Sequence, residues 1–207
     1  MVYWVTPPWW LKAYYPQLIW RMPDEDAVYL TFDDGPHPSI TTFVLDQLSA
    51  ANAKATFFCI GKNVDEHQDV FNRIVKEGHT TGNHTHNHFN GWKHNTKDYL
   101  SNITKAAEHI DSKLYRPPYG RIKKNQITQL QTSSPPYNIY MWDVLSADFD
   151  IKTSPQKCLN NVLNHIRPGS IVVFHDSEKA WDRMSYALPK VLEYCKEKNW
   201  KMKGLPK

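Results

Sequence analysis

The sequence predicts an α/β fold built on a mostly parallel sheet, either open or closed into a barrel. From position 27 onward short apolar runs alternate with amphipathic stretches, and the polar clusters fall just behind the apolar runs. Composition agrees: 207 residues fit one domain, and 41% hydrophobic with 13% aromatic residues supply a sizeable core. A disordered tail or a fibre is excluded.

The elements follow in chain order. Residues 1–26 hold Trp4, Trp9, Trp10, Tyr14, Tyr15 and Trp20, broken by Pro7, Pro8 and Pro16. They read as an extended N-terminal segment whose rings pack onto the domain as core, and residues 27–207 read as that single domain. Ala27 to Phe32 is a buried strand, Ile40 to Ala51 a helix with Ser39 as its cap, and Ala53 to Ile60 a second strand, which together open the fold as a βαβ unit. Val64 to Glu77 makes a helix closed by Gly78, and Thr96 to Leu114 a long one. Ile139 to Val144 is a strand, Pro155 to Ile166 a helix, Ser170 to Phe174 a strand and Ala187 to Lys198 the last helix. The Pro-rich stretch from Ser133 to Pro136 is a loop.

Charge and cysteine usage narrow the partners. Lys and Arg number 25 against 21 Asp and Glu, a net +4 with no concentrated basic run, so no nucleic-acid partner is indicated. Cys59, Cys158 and Cys195 lie far apart, which leaves neither a disulfide framework nor a metal-binding pair, and they read as free buried thiols. The prolines and Lys12 deny the N-terminus the apolar core of a signal peptide or membrane span. A cytoplasmic location is the default expectation, with export by another route left open. Nothing in the sequence marks an oligomeric state.

The chemistry lies behind the strands, where ligand sites of such folds sit. Asp33 and Asp34 leave the first strand together, and adjacent carboxylates repel unless a cation compensates. On extended chain they point opposite ways, so one can ligate an ion while the other faces substrate. His84 and His88 stand four apart in GNHTHNH and would share one face of a helix. With one carboxylate they complete a two-histidine set with open positions, the pattern of a catalytic metal centre. His79, His86, His94 and His109 read as ordinary histidines. Arg116 to Gly120, RPPYG, is a rigid loop able to aim a guanidinium and a backbone N–H. Trp142, Asp143, Asp148 and Phe149 follow one strand and His175 with Asp176 another; a histidine ending an apolar strand suits general acid or base work.

Taken together, TFDDGP at Thr31 to Pro36, His84-Thr85-x-x-His88, Arg116-Pro-Pro-Tyr119-Gly, Trp142 with Asp148, and Val173-x-His175 resemble the five ordered motifs of the polysaccharide deacetylases, carbohydrate esterase family 4 with its NodB-homology domain. The resemblance spans residues 27–176 and implies a distorted (β/α) barrel with fewer than eight regular repeats. By the same resemblance Asp34, His84 and His88 would hold one divalent ion, Zn²⁺ first, with Co²⁺, Fe²⁺, Mn²⁺ or Ni²⁺ as alternatives. Asp33 would be the general base, His175 the acid that protonates the departing amine, and the Tyr119 backbone N–H an oxyanion donor. Arg116 would pair with Asp33 and keep it an anion, Asp148 would orient and charge His175, and Trp142, Phe149 and Val173 would wall a pocket for an acetyl methyl.

The activity implied is removal of N-acetyl groups from N-acetylglucosamine units of a chitooligosaccharide or peptidoglycan-type glycan, an acetylated partner. An O-acetyl esterase of xylan-type polymers and a catalytically silent carbohydrate-binding relative are the alternatives. Phe149 replaces the family's frequent Trp, Val173 its Leu, and Leu145 an Asp. These departures alter the pocket wall and leave every ligand, base and acid position filled.

Overall fold

The computed structural model describes residues 3–206; Met1, Val2 and Lys207, which the extension and domain readings include, lie outside the described residues. The strands are β1 (Ala27–Asp33), β2 (Thr56–Cys59), β3 (Thr80–Asn83), β4 (Leu114–Tyr115), β5 (Asn138–Ile139), β6 (Val144–Leu145), β7 (Ile171–His175) and β8 (Lys201–Met202). They pair in the order β5-β4-β3-β2-β1-β7-β6 with β8 on β1, and every pair is parallel. The sheet curls into a half-barrel, so the barrel expectation holds. β1 is buried along its whole length, as expected of a central parallel strand covered on both faces.

Helices α1 (Trp9–Tyr14), α2 (Ile40–Ala50), α3 (Gly61–Glu66), α4 (Gln68–Lys76), α5 (Thr96–Ala107), α6 (Lys124–Gln131), α7 (Pro155–Leu163) and α8 (Trp181–Glu197) complete the chain. α2 buries Ile40, Val44, Leu45 and Leu48, one stripe of the helical period, against β1, β2 and the inner face of α8. Each such side chain contributes roughly 1.5–3 kcal/mol when fully buried, so this layer holds the outer face of the sheet. A second cluster around Tyr99, Tyr115, Ile139 and Met141 packs α5 and α6 against β4 and β5. Cys59, Cys158 and Cys195 are free and buried.

The seam of the half-barrel is crossed by the N-terminal segment. Val5 accepts a hydrogen bond from Leu145 N at 2.8 Å on β6, while Ile19 bridges Tyr140 and accepts from Met141 N at 2.7 Å just beyond β5. The segment therefore ties the two outermost strands. It is not wholly extended, since Trp9–Tyr14 is helical behind Pro8. Nor are its rings plain core: Trp20 is buried, but Trp4, Trp9, Trp10 and Tyr14 stay exposed.

Other expectations change for local reasons. Ser39 does not cap α2; its side chain makes no cap bond, and His37 Nδ1 instead accepts from Ser39 N and Ile40 N at 3.3 and 3.2 Å. The helix expected from Val64 to Glu77 is two, because the chain leaves helical geometry at His67 (φ −136°, ψ 52°). The long helix ends at Ala107. Ser112 then draws the chain into β4, its Oγ donating to Thr81 O at 2.7 Å and accepting from Leu114 N at 3.1 Å. The strand from Ile139 to Val144 is split because the Tyr140 and Met141 carbonyls turn to Arg116. The final helix begins at Trp181, ahead of the expected Ala187, and runs through Pro189. β3, β4, β8, α1 and α6 carry weak sequence signals; β3 is Thr-Thr-Gly-Asn, with no apolar alternation to read.

Candidate active site

Parallel register brings the loops behind β1, β2, β3, β4 and β7 to one end of the sheet. Asp33 aligns with Phe58 on one side and with His175 on the other. Asn83 aligns with Cys59 and Tyr115, so His84 and Arg116 each stand one residue beyond the same level. The expected site residues Asp33, Asp34, His84, His88, Tyr119, Trp142, Phe149, Val173 and His175 all line one cavity of about 730 Å³. Arg116 and Asp148 are fully buried behind it.

Period-two geometry explains the Arg116 site. Thr31 and Asp33 point to the same side of β1, and Arg116 Nη1 donates to both, at 2.6 and 2.8 Å. Nη2 donates to Met141 O at 2.9 Å and Nε to Tyr140 O at 3.4 Å, while the Phe58 ring lies 4.1 Å from the guanidinium carbon. A charge buried this completely is tolerable only when its nitrogens find acceptors, and here all three do, through four hydrogen bonds.

The two histidines meet by a route other than the expected helix. They lie in the loop after β3, where Thr85 and His88 take left-handed backbone (φ 64° and 55°). Asn83 Oδ1 accepts from Thr85 N at 2.8 Å and Gly61 N donates to Thr85 O at 3.0 Å, which holds this turn on the start of α3. Asp34 is also left-handed (φ 86°), and Asn63 fixes its carbonyl with a 2.7 Å bond. Strain gathered in these ligand loops is of order 1–3 kcal/mol per residue and is met by the surrounding bonds.

The donor set fits a divalent ion. Asp34 Oδ1 lies 3.2 Å from His88 Nε2 and 3.8 Å from His84 Nε2, yet this buried oxygen accepts no hydrogen bond of proper geometry. His84 Nδ1 faces the Arg116 carbonyl at 2.8 Å, which can only accept, so the proton sits on Nδ1 and the Nε2 lone pair is free. His88 Nδ1 is engaged by the Tyr119 hydroxyl at 3.1 Å. Burial lowers the His84 pKa to about 4, keeping the imidazole neutral, as metal binding would require. Burial opposes ionisation of Asp34, but His88, His175 and His84 outweigh it and hold the carboxyl well below its usual range.

On the far side Asp148 Oδ1 meets His175 Nδ1 at 2.7 Å and its Oδ2 accepts from His175 N at 2.7 Å. Burial alone would lower the His175 pKa; the Asp148 charge and hydrogen bond win and raise it to about 10. Gly35 touches Asp176, which accepts from Gly35 N at 3.0 Å and from Thr41 Oγ1 at 2.5 Å, tying the first loop to the last. Gly120 (φ 64°) lies against Trp142. Thr31, Thr41, Asn63 and Asn83 were not singled out by sequence reasoning. Thr31 had a signal, its place two residues before Asp33, whereas Asn63 had none.

His86 and His109, set aside as ordinary, gather with Asp65 into a separate cluster. Asp143 meets Lys12 at 2.9 Å.

The curled parallel sheet carries two histidines, two carboxylates and a carboxylate-paired histidine at one end of its strands, the set of side chains that a metal-assisted hydrolase would use. The chain belongs to the polysaccharide deacetylase family, whose profile matches residues 21–133. It is 36% identical over 186 residues to a peptidoglycan-N-acetylglucosamine deacetylase of Bacillus cereus, covering 86% of this chain and 66% of the relative. A chitooligosaccharide deacetylase of Azorhizobium caulinodans is 31% identical over 160 residues, covering 74% of this chain and 75% of that one. A crystal structure of a peptidoglycan N-acetylglucosamine deacetylase in complex with a naphthalenyl N-oxidanyl-benzamide superposes with a TM-score of 0.85 at 33% identity, covering 97% of this chain and 95% of that chain. Among the described residues no helix is long and apolar enough to cross a membrane.

Proposed function

We propose that the chain removes N-acetyl groups from N-acetylglucosamine units of a peptidoglycan- or chitooligosaccharide-type glycan. The observation that carries this reading is the register of the sheet, which sets Asp33, held by Arg116, and His175, held by Asp148, side by side next to the Asp34–His84–His88 set. The names of the similar proteins support the substrate class.

Asp34, His84 and His88 would hold the ion, and two imidazoles with one carboxylate suit Zn²⁺. A bound ion supplies Lewis acidity toward the acyl carbonyl and toward water. Asp33 takes the proton of the attacking water. The Arg116 guanidinium fixes that carboxylate through one oxygen and leaves the other for the proton. Tyr119, turned by its left-handed backbone (φ 60°), presents its N–H to the developing oxyanion; loss of such a donor typically costs about 10²–10³ in rate.

His175 completes the reaction. With its pKa raised to about 10 it stays protonated through neutral pH, and from Nε2 it gives its proton to the departing nitrogen. An amide needs that proton more than an ester does, since an amine leaves poorly as an anion. Trp142, Phe149 and Val173 wall the acetyl methyl.

Mass spectrometry of the products tests the reading. N-acetylglucosamine oligomers and acetylated xylan are offered side by side to zinc-loaded protein. Loss of acetyl groups from the oligomers is expected; loss from xylan alone would move the reading to an O-acetyl esterase.

A further inference from the structure

Rings of the N-terminal segment stay in the open beside the site. Trp4, Trp10 and Tyr14 are 49%, 50% and 57% exposed, and they line the same cavity as Asp33, Asp34 and His175. Burying apolar area stabilises by roughly 25 cal/mol per Å², so a group of rings held out of the core forgoes that gain. Such a contiguous apolar patch marks a surface kept for a ligand.

The wall is built, not loose. Lys12, in the helix between these rings, meets the buried Asp143 at 2.9 Å, and Ser170 Oγ donates to the other Asp143 oxygen at 3.0 Å. Trp4 and Trp10 pack edge to face at 5.8 Å, and Lys124 sits 3.8 Å over the Tyr14 ring. Ahead of them Tyr3 donates to Asp150 at 2.8 Å and packs edge-on against Phe149, whose ring meets His175 at 5.2 Å. The rings therefore hold a fixed position relative to the proposed acid.

We propose that Trp4 and Trp10 stack on the sugar rings that flank the one being deacetylated, making the N-terminal segment a determinant of chain-length preference. The inference rests on the deacetylase reading for the identity of the ligand. One continuous cavity joins the rings to the site, so a single extended glycan can reach both. A hexopyranose offers an apolar C–H face to an aromatic ring and hydroxyls at its rim to water, which suits a half-exposed wall. The segment that closes the barrel seam thus also extends the glycan site.

Steady-state kinetics on an N-acetylglucosamine disaccharide and hexasaccharide test this with Trp4→Ala/Trp10→Ala. A loss of about tenfold or more in kcat/KM is expected on the hexasaccharide, entering through KM, with a clearly smaller loss on the disaccharide, which carries only one flanking ring. Trp10→Phe, which keeps a ring, should recover most of the loss contributed at that position relative to Trp10→Ala. Equal losses on both substrates, or none on either, would overturn the wall. Calorimetric binding of the hexasaccharide to zinc-loaded Asp33→Asn separates this from failure of the deacetylase reading. Affinity lost when Trp4→Ala/Trp10→Ala is added supports the wall even without turnover, and unchanged affinity overturns it.

Discussion

Asp33 and His175 are register partners at the C-terminal ends of two adjacent parallel strands, β1 and β7. Their side chains therefore leave the sheet on the same side and at the same level, one backed by Arg116 and the other by Asp148. One partner is cationic and the other anionic, and the Asp148 charge holds His175 as an imidazolium within a single strand spacing of Asp33. In the proposed roles of acceptor and donor, the two would need no movement of the backbone to act in sequence.

The base assignment predicts a separation of binding from turnover. Asp33→Asn keeps the shape of the side chain and leaves Asp34, His84 and His88 untouched. Bound zinc should remain while kcat falls by roughly 10²–10⁴. An active variant would remove Asp33 from that role.

Metal retention tests the ligand set directly. His84→Ala combined with His88→Ala leaves Asp34 alone among the donors. After dialysis the variant should retain essentially no zinc, measured by atomic emission beside wild type. Unchanged stoichiometry would place the ion elsewhere.

Asp148→Asn should shift the pH profile. The His175 pKa of about 10 depends on the Asp148 charge overcoming burial, so removing that charge moves the pKa downward. The alkaline limb of kcat/KM then moves to lower pH while acid-side activity persists. Folding is linked in the same sense: with a folded pKa above the ordinary 6.5, the stabilisation from this pair is full below about 6.5 and fades as pH rises through about 10. A profile identical to wild type would show that Asp148 does not charge His175.

Gly35→Ala probes the tie between the first and last loops. A Cβ there would stand 2.0 Å from Asp176 Oδ2, a buried oxygen already engaged by Thr41. Overpacking of this kind costs about 1–3 kcal/mol, or about 2–4 °C in Tm for each kcal/mol in a chain of this size. Calorimetry should show that fall, with activity reduced alongside; an unshifted Tm would mean the loop yields freely.

Much of the site was legible because its residues lie in short loops directly after apolar strands, where β1 and β7 announce themselves by composition. TFDDGP and the His175 strand stand out by that pattern, while the roles expected of their residues came from the resemblance to the deacetylase motifs. The His84–His88 pair was legible as a pair but not as a geometry: spacing of four suggested a helix, while the chain uses left-handed turns at Thr85 and His88 that no periodicity reveals. β3 was hidden because Thr80–Asn83 is buried without being apolar. The aromatic segment misled in another way. Ring content predicts burial on average, and only the tertiary route of residues 3–20 across the seam shows which rings, Trp20 among them, go in and which, Trp4 and Trp10, stay out.

Acetate release from N-acetylglucosamine oligomers by wild type, before chelation, after chelation and after zinc is restored, tests the central claim most directly. The account predicts release that is lost with the metal and regained with it, and that the His84→Ala/His88→Ala protein cannot regain. Release indifferent to chelation, or none from zinc-loaded protein on any oligomer, would contradict it.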